Sequence, residues 1–110
     1  MNQSQLLEVA VESLDGRRVI RARGEIDMSS IEPLRGAVAA ARAAKVDTVV
    51  DLSGVGFIDS TGLHLILDAS LDAAANGWSV SFVPSRQVLR LLEATGTLET
   101  VPVSPPPPAG

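Results

Sequence analysis

The segment 49–63, VVDLSGVGFIDSTGL, constrains the fold of this chain more than any other part of the sequence. It begins with apolar, β-branched residues that are typical of a buried interior strand. Gly54 and Gly56 predict a tight loop after that strand, and the tetrapeptide DSTG predicts the start of a helix. A buried strand that leads directly into a helix is typical of an α/β fold with parallel strands.

The rest of the chain divides into segments with strand or helix periodicity. Strands are predicted at 6–13, 17–23, 48–52 and 78–83, and helices from Ser29 to 44 or 45, from about 60 to 75, and from Ser85 to Gly96. An Asp15-Gly16 turn joins the first two strands into a hairpin. The order is therefore ββαβαβα, with or without a last short edge strand over 100–103, where Pro102 is tolerable.

This order predicts the fold class. Strands that alternate with helices at this spacing require crossover connections and a largely parallel sheet, and the opening hairpin makes that sheet mixed. We expect one α/β domain over residues 1–103, in which helices flank a mixed, mostly parallel β-sheet. Residues 104–110, SPPPPAG, form a Pro-rich tail that we expect to be a flexible terminus rather than a ligand for a proline-reading domain.

Each predicted helix carries one apolar stripe. Ser29 and Glu32 have the spacing of a capping box at the start of the first helix. The residues expected to face the core are Ile31, Leu34, Val38 and Ala41 in the first helix, Leu63, Ile66, Leu67, Ser70, Leu71 and Ala74 in the second, and Val88, Leu89 and Leu92 in the third.

Composition excludes several classes of site and partner. A net charge of −4 without a Lys/Arg-rich run argues against nucleic-acid binding, which depends on phosphate neutralisation. The chain has no cysteine and one histidine, which excludes disulfides, thiol catalysis and a His-based metal cluster, and no cofactor is expected. Without a signal-peptide pattern or an apolar run of about 18 residues, we expect a soluble cytoplasmic protein that does not insert into a membrane.

Asp59, Ser60 and Thr61 allow two interpretations. All three residue types are favourable N-caps, so one of them caps the helix and has no other role. Alternatively, Ser60 is a phosphorylation acceptor, because the free N–H groups and the dipole of a helix N-terminus tolerate a phosphate. Glu25 and Asp27 precede the first helix and are expected nearby, so an added charge of about −1.5 to −2 would repel a partner that accepts the unmodified serine.

Two other chemistries lack residues that they require at this site. A hydrolase is not expected, because the G-x-S-x-G motif is absent and His64 lies four residues after Ser60 without an evident orienting group or oxyanion hole. Gly54 and Gly56 follow a strand, but the Lys and Ser/Thr of a P-loop are missing. A nucleotide-binding regulatory domain therefore stays an alternative that lacks the phosphate-loop residues it would need.

Residues 49–63, together with the Gly-Glu-Ile-Asp sequence at 24–27, resemble the STAS domain family of bacterial anti-sigma factor antagonists. The resemblance covers about residues 6–103 and matches the patterns Asp-Leu-Ser-Gly-Val and Phe-Ile-Asp-Ser-(Ser/Thr)-Gly-Leu almost residue for residue. It implies a protein that is not an enzyme and that, when unphosphorylated, binds a GHKL-type serine-kinase anti-sigma factor and frees its sigma factor. It also implies phosphorylation of Ser60 by that kinase and its reversal by a PP2C-type phosphatase.

The expected partner-binding surface combines the two segments that precede helices. It comprises Glu25, Asp27, Met28, Ser29, Asp59, Ser60, Thr61, Gly62 and His64. Thr61 is a minor candidate acceptor, Gly62 is expected to let another surface approach the helix, and His64 stands where many family members have glycine. The alternative is a STAS scaffold that binds without a serine switch, for example as a subunit of a lipid-transport ATPase or a stress-signalling complex.

Overall fold

The computed structural model describes residues 6–105 of the chain. Its elements are the strands β1 (Leu7–Leu14), β2 (Arg17–Ile26), β3 (Thr48–Ile58) and β4 (Val80–Pro84), the helices α1 (Glu32–Ala44), α2 (Ser60–Asn76) and α3 (Arg86–Ala94), and a short 3-10 helix at Leu98–Thr100. The predicted order ββαβαβα is confirmed. Most of the predicted Pro-rich tail, after residue 105, lies outside the described residues, and its flexibility stays a prediction.

The four strands form one mixed sheet in the order β1-β2-β3-β4. β1 and β2 are antiparallel, whereas β3 is parallel to both β2 and β4, which confirms the predicted fold class. The hairpin turn consists of Asp15 at φ 54° and Gly16 at φ 79°. Two successive left-handed residues give the turn a twist that suits a two-residue hairpin.

The main core lies between the sheet and the helices. Ile20, Val50 and Phe82 are register partners across β2, β3 and β4, and all three are buried in one cluster with apolar residues of α1 and α2. The predicted stripe of the first helix is confirmed, since all four of its residues are buried. Ser85 caps α3 as predicted, because its Oγ accepts a hydrogen bond from the N–H of Val88 at 3.2 Å.

The predicted stripe of the second helix is wrong in part. Leu71 is 61% exposed and Ala74 is also exposed, whereas Leu65, Ala69 and Ala73 are buried. Since α2 contacts α1 as well as the sheet, the buried surface of α2 is wider than one stripe and is rotated from the predicted one. The sequence of α2 is apolar on more than one side, so its periodicity does not fix the buried face.

β2 and β3 are longer than predicted. Residues 24–26 belong to β2 rather than to a loop, and Gly54 and Gly56 lie inside β3, which continues to Ile58. The register of β2 with β3 shifts between Arg21 and Arg23 and again between Gly24 and Glu25. Glycines inside strands are typical of such irregularities, and here they mark bulged pairing instead of strand ends.

The predicted capping box of the first helix is wrong. The N-cap of α1 is Ile31, which makes no side-chain capping hydrogen bond, and Ser29 lies in the turn before it. The carboxylate of Asp27 accepts the hydrogen bonds of that turn, so it takes the place that Ser29 and Glu32 were predicted to fill.

The predicted last strand over 100–103 is present only as one bridge. Val103 pairs with Phe82 as an isolated parallel bridge after the 3-10 helix. Phe82 donates its N–H to the carbonyl oxygen of Pro102 at 2.8 Å and accepts the N–H of Ser104 at 3.0 Å. This segment therefore covers the outer edge of β4 at Phe82. Among the described residues, no helix combines the length and the apolar character needed to cross a membrane.

A polar network joins α1, α2 and the segment between α2 and β4. The indole Nε1–H of Trp78 donates to Asp72 Oδ2 at 2.8 Å. Arg42 of α1 donates to Asp68 at 2.9 Å and forms an ion pair with Asp72 at 3.2 Å that lacks hydrogen-bond geometry. Trp78 is 6% exposed, so the network fixes its ring beneath the C-terminal end of α2.

Candidate functional site

Two strand-to-helix junctions meet at the C-terminal edge of the sheet. Ile26 at the end of β2 is the register partner of Ile58 at the end of β3, and the N–H of Asp59 donates to the carbonyl oxygen of Ile26 at 3.2 Å. Asp27 and Asp59, which directly follow these isoleucines, therefore begin neighbouring turns. This adjacency is the one that the sequence predicts.

At the junction after β3, Asp59 is the N-cap of α2. Its Oδ1 accepts hydrogen bonds from the backbone N–H of Thr61 at 2.9 Å and of Gly62 at 3.4 Å. Ser60 is the first residue of the helix and is exposed, and among residues 6–105 no group hydrogen-bonds its hydroxyl. The carboxylate thus caps the helix and leaves the serine hydroxyl directed to solvent.

At the junction after β2, Asp27 has a different set of donors. Its Oδ1 accepts from the N–H of Ser29 at 2.9 Å, the hydroxyl of Ser29 at 2.7 Å and the N–H of Ser30 at 3.0 Å. The hydroxyl of Ser29 is the largest of the influences that hold the pKa of Asp27 below its ordinary value, the backbone donors act in the same direction, and desolvation opposes them. Asp27 is therefore ionised at neutral pH.

Gly62 faces the interior of the protein. A Cβ at this position would lie 2.6 Å from Cγ1 of Ile58 and 2.8 Å from Cγ2 of Ile26. The close approach predicted at Gly62 is therefore made by the chain's own sheet, and a direct contact of Gly62 with a partner stays a prediction. Gly62 is buried, and its lack of a side chain lets the first turn of α2, which begins at Ser60, lie close to the two strand ends.

Thr61 and His64 line a groove between α1 and α2. The groove has a volume of about 540 Å³, and its other lining residues are Arg35, Leu65, Leu67, Asp68 and Leu71. His64 is exposed and Thr61 is half-buried, and they lie one helical turn apart. Arg35, which forms an ion pair with Glu32 at 3.2 Å, was not predicted as part of this surface.

Two exposed apolar side chains flank the junctions. Met28 at the tip of the first turn is 79% exposed, and Phe57 next to Glu25 in the register is 48% exposed. Met28 was predicted as part of the surface and Phe57 was not. The alternation of Val55 and Phe57 with glycine did not reveal this, because a period of two places both side chains on one face of a regular strand. The register shift between their partners Gly24 and Glu25 separates them, so that Val55 belongs to the core and Phe57 is exposed.

The two junctions place polar side chains at one edge of the sheet. They offer the exposed hydroxyl of Ser60 at a helix N-terminus after Asp59, and Glu25 and Asp27 at the neighbouring end of β2. The described residues contain no group of three or more His, Cys, Asp or Glu side chains that could hold a metal ion. The candidates Glu25, Asp27, Met28 and Ser29 come from the end of β2 and the turn after it, and the others come from the junction after β3. The pairing of Ile26 with Ile58 joins the two junctions.

Comparison with known proteins gives a family and a fold. Residues 9–101 match the family model described as Mlab, STAS domain. An anti-sigma factor antagonist from Mycobacterium paratuberculosis is 30% identical, with 91% of this chain and 86% of that chain covered and a TM-score of 0.75.

Two structures of SpoIIAA share the fold at lower identity. Unphosphorylated SpoIIAA, an anti-sigma factor antagonist, is 22% identical over 89% of each chain with a TM-score of 0.71. The phosphorylated form of the Bacillus cell fate determinant SpoIIAA is 20% identical over 89% of this chain and 92% of that chain, with a TM-score of 0.68. The search of curated protein sequences found no match.

Proposed function

Because this chain belongs to the STAS domain family, we propose that it is an anti-sigma factor antagonist that phosphorylation of Ser60 switches off. In its unmodified form it binds a GHKL-type serine-kinase anti-sigma factor in the cytoplasm and frees the sigma factor. The kinase phosphorylates Ser60, and a PP2C-type phosphatase restores the hydroxyl. In this proposal the protein is a substrate and a binding partner, and it is not an enzyme.

The observation that carries the proposal is the state of the Ser60 hydroxyl. The hydroxyls of Ser29 and Ser53 donate to Asp27 and Asp51 at 2.7 and 2.6 Å, and that of Ser30 donates to the carbonyl oxygen of Glu25 at 2.6 Å. Ser60 is the serine at the joined junctions whose hydroxyl has no such acceptor among the described residues. Phosphorylating it would break no hydrogen bond of the fold, which suits a reversible modification.

The charge around Ser60 explains how a phosphate would switch binding. Glu25, Asp27 and Asp59 already make this edge acidic, and Asp27 is held ionised. A partner that fits the unmodified surface must bring donors or positive charge to these carboxylates. A phosphate adds about −1.5 to −2 charge where the uncharged hydroxyl fits the partner, and its desolvation would weaken the complex.

The proposed contact surface is the set predicted from the sequence, adjusted for burial. Met28, Ser29, Thr61 and His64 contact the partner directly, together with the three carboxylates and Ser60. Gly62 acts indirectly, through the position that it gives to the first turn of α2. Thr61 is a minor acceptor, because it is half-buried and its side chain opens into the groove rather than to the sheet edge.

The test compares one added charge at two exposed serines. Ser60→Glu and Ser79→Glu are titrated by calorimetry against a GHKL-type anti-sigma kinase from the same genome. Ser79 directly precedes β4, where the parallel strands begin, and so lies at the opposite end of the strands from the ends of β2 and β3. We expect Ser60→Glu to weaken binding at least tenfold while Ser79→Glu and Ser60→Ala bind as the wild type does. Equal binding by Ser60→Glu and the wild type would contradict the switch.

The scaffold function remains the second candidate, because the matching family model is described as Mlab, STAS domain, and not as an antagonist. A scaffold needs no modifiable hydroxyl and binds its partner whatever the charge at residue 60. Phosphosite mapping by mass spectrometry on protein purified from its own cells separates the two. Phosphate on Ser60 under some growth or stress condition supports the antagonist, and its absence under all of them supports the scaffold.

A further inference from the structure

The two outer strands of the sheet, β1 and β4, differ in whether another segment pairs with their free edge. At the outer edge of β4, the segment 102–104 satisfies both backbone groups of Phe82. At the other edge, β1 pairs with β2 and, within residues 6–105, with no second strand. An uncovered edge presents a row of unpaired N–H and C=O groups that can pair with another strand.

The register identifies the groups that point out from the open edge. Glu25 donates its N–H to the carbonyl oxygen of Leu6 at 2.7 Å, so Leu6 and Glu25 form a hydrogen-bonded pair. Such pairs recur at every second residue of an antiparallel ladder. The backbone N–H and C=O groups that point away from β2 are therefore those of Leu7, Val9, Val11 and Ser13.

β1 lacks most of the features that protect an edge strand. Between Leu7 and Leu14 it contains no proline and no lysine, and its register with β2 is free of bulges. Val11 is 52% exposed although its side chain lies on the same face of the strand as Val9, which packs against the core. A regular eight-residue edge with an exposed β-branched residue is a template for strand pairing.

We propose that β1 pairs with β1 of a second copy of this chain, antiparallel about a two-fold axis, so that two sheets join into one. Closed two-fold symmetry is the commonest arrangement of identical chains. With the axis at Val9, Leu7 lies opposite Val11 of the second copy and covers its exposed side chain. The same register places Glu8 opposite Ala10 of the second copy.

Charge favours this register over its neighbour. An axis at Ala10 would place Glu8 directly opposite Glu12 of the second copy, and like charges facing each other across two strands are destabilising. The axis at Val9 avoids that contact and keeps both glutamates beside uncharged residues. This interface uses the backbone of β1 and does not depend on the function proposed for Ser60.

The proposal is tested by the mass of the full 110-residue chain in solution. Sedimentation velocity from about 1 μM to about 1 mM covers the affinity range of a weak dimer. Val11→Pro removes one outward N–H and leaves the hydrogen bonds between β1 and β2 intact. Val11→Thr is the matched control, because it retains that N–H and the branched shape. We expect a reversible dimer for the wild type and for Val11→Thr, and at least tenfold weaker association for Val11→Pro.

Hydrogen exchange on the wild type gives an independent measurement that does not require the proline variant to fold. In the dimer, the amides of Val9 and Val11 exchange slowly, and dilution makes them fast. A wild-type chain that stays monomeric to 1 mM would overturn the proposal, as would a dimer that Val11→Pro leaves unchanged. Protection of Val9 and Val11 in a sample that sediments as a monomer would also overturn it, since the chain itself would then cover the edge.

Discussion

The turns after β2 and β3 have the same beginning and a different outcome. Each starts with an aspartate that follows an isoleucine, Ile26 buried and Ile58 half-buried, and the two isoleucines are register partners. Asp27 accepts from a serine hydroxyl as well as from the backbone, whereas Asp59 accepts from the backbone alone. In the first turn the serine hydroxyl is therefore bonded to the aspartate, whereas in the second turn the hydroxyl of Ser60 is left exposed.

The spacing of the serine explains the difference. Ser29 follows Asp27 by two residues, and Ser53 follows Asp51 by two, and in both pairs the hydroxyl reaches back to the carboxylate. Ser60 follows Asp59 directly, at the first position of a helix, where its side chain points outward and the carboxylate is occupied by the N–H groups of Thr61 and Gly62. Spacing acts together with the start of the helix, because Thr61 also follows an aspartate by two residues but donates only its backbone N–H to Asp59.

Overpacking should affect the second turn most. Gly62→Val would bring a branched side chain into Ile26 and Ile58, where even a Cβ lies under 3 Å from three carbon atoms. We expect a loss of about 3 kcal/mol of unfolding free energy, measured by urea denaturation. The matched control is Gly36→Val in α1, where nothing lies within 4 Å of the added Cβ. A Gly62 variant as stable as the Gly36 variant would show that the contact with the sheet is not tight.

Removal of the two carboxylates should separate capping from closure of the turn. Asp59→Ala deletes a helix N-cap and should lower the unfolding free energy by about 1 kcal/mol. Asp27→Ala should leave α1 in place, because the N-cap of α1 is Ile31, and should mainly speed the amide exchange of Ser29 and Ser30. Far-UV dichroism, thermal melts and hydrogen exchange measure the three effects. Equal loss of stability in both variants would mean that the turns are equivalent.

A charge on Ser60 should disturb the fold very little. Ser60→Glu places a carboxylate in the first turn of α2, where the helix dipole favours it by about 0.3–1 kcal/mol. We therefore expect a melting temperature equal to or slightly above that of the wild type, although binding is lost if the proposed switch is correct. A strongly destabilised Ser60→Glu variant would mean that the hydroxyl has a structural role.

The smallest expected effect is a change in one titration. The pKa of Asp27 lies below its ordinary value of 3.8, and Ser29→Ala should raise it, because the hydroxyl is the largest cause of the shift. A depressed pKa stabilises the folded state above the pKa of the unfolded chain, and the gain is lost as pH falls through the folded value. Carboxyl chemical shifts measured by NMR between pH 2 and 6 would follow Asp27. An unchanged pKa in Ser29→Ala would show that the backbone donors alone set it.

Element order was predictable because it depends on alternation and on turn residues. Asp15-Gly16 and Ser85 have local chemistry that few tertiary contacts could override, and both behave as predicted. Strand lengths were less predictable, because Gly54 is compatible with either a loop or a bulge until its neighbour Arg23 is known. The buried face of α2 was mispredicted for a related reason, because the periodicity of α2 contains no information on where α1 packs against it.

Within the candidate site, the proximity of Asp27 and Asp59 followed from the rule that parallel strands end at one edge. The hydrogen-bond partner of an individual side chain could not be predicted from that rule. Ser29 was predicted to cap α1 but is bound by Asp27, because the capping residue is chosen by the path of the turn and not by spacing alone. Arg35 and Phe57 escaped prediction because their positions on the surface depend on how α1 and β3 are oriented.

The network of Trp78, Asp72 and Arg42 has an optical consequence. Trp78 is the one tryptophan of the chain and lies beyond the C-terminal end of α2, whereas Ser60 begins that helix. The indole of Trp78 donates to Asp72, and at 1.5 Å per residue the part of α2 from Ser60 to Asp72 separates the two by about 18 Å. The fluorescence emission of Trp78 should therefore not change when residue 60 is phosphorylated, but it should change when α1 separates from α2. Ultraviolet fluorescence of the unlabelled protein can thus report unfolding in the same cuvette in which modification is followed by other means.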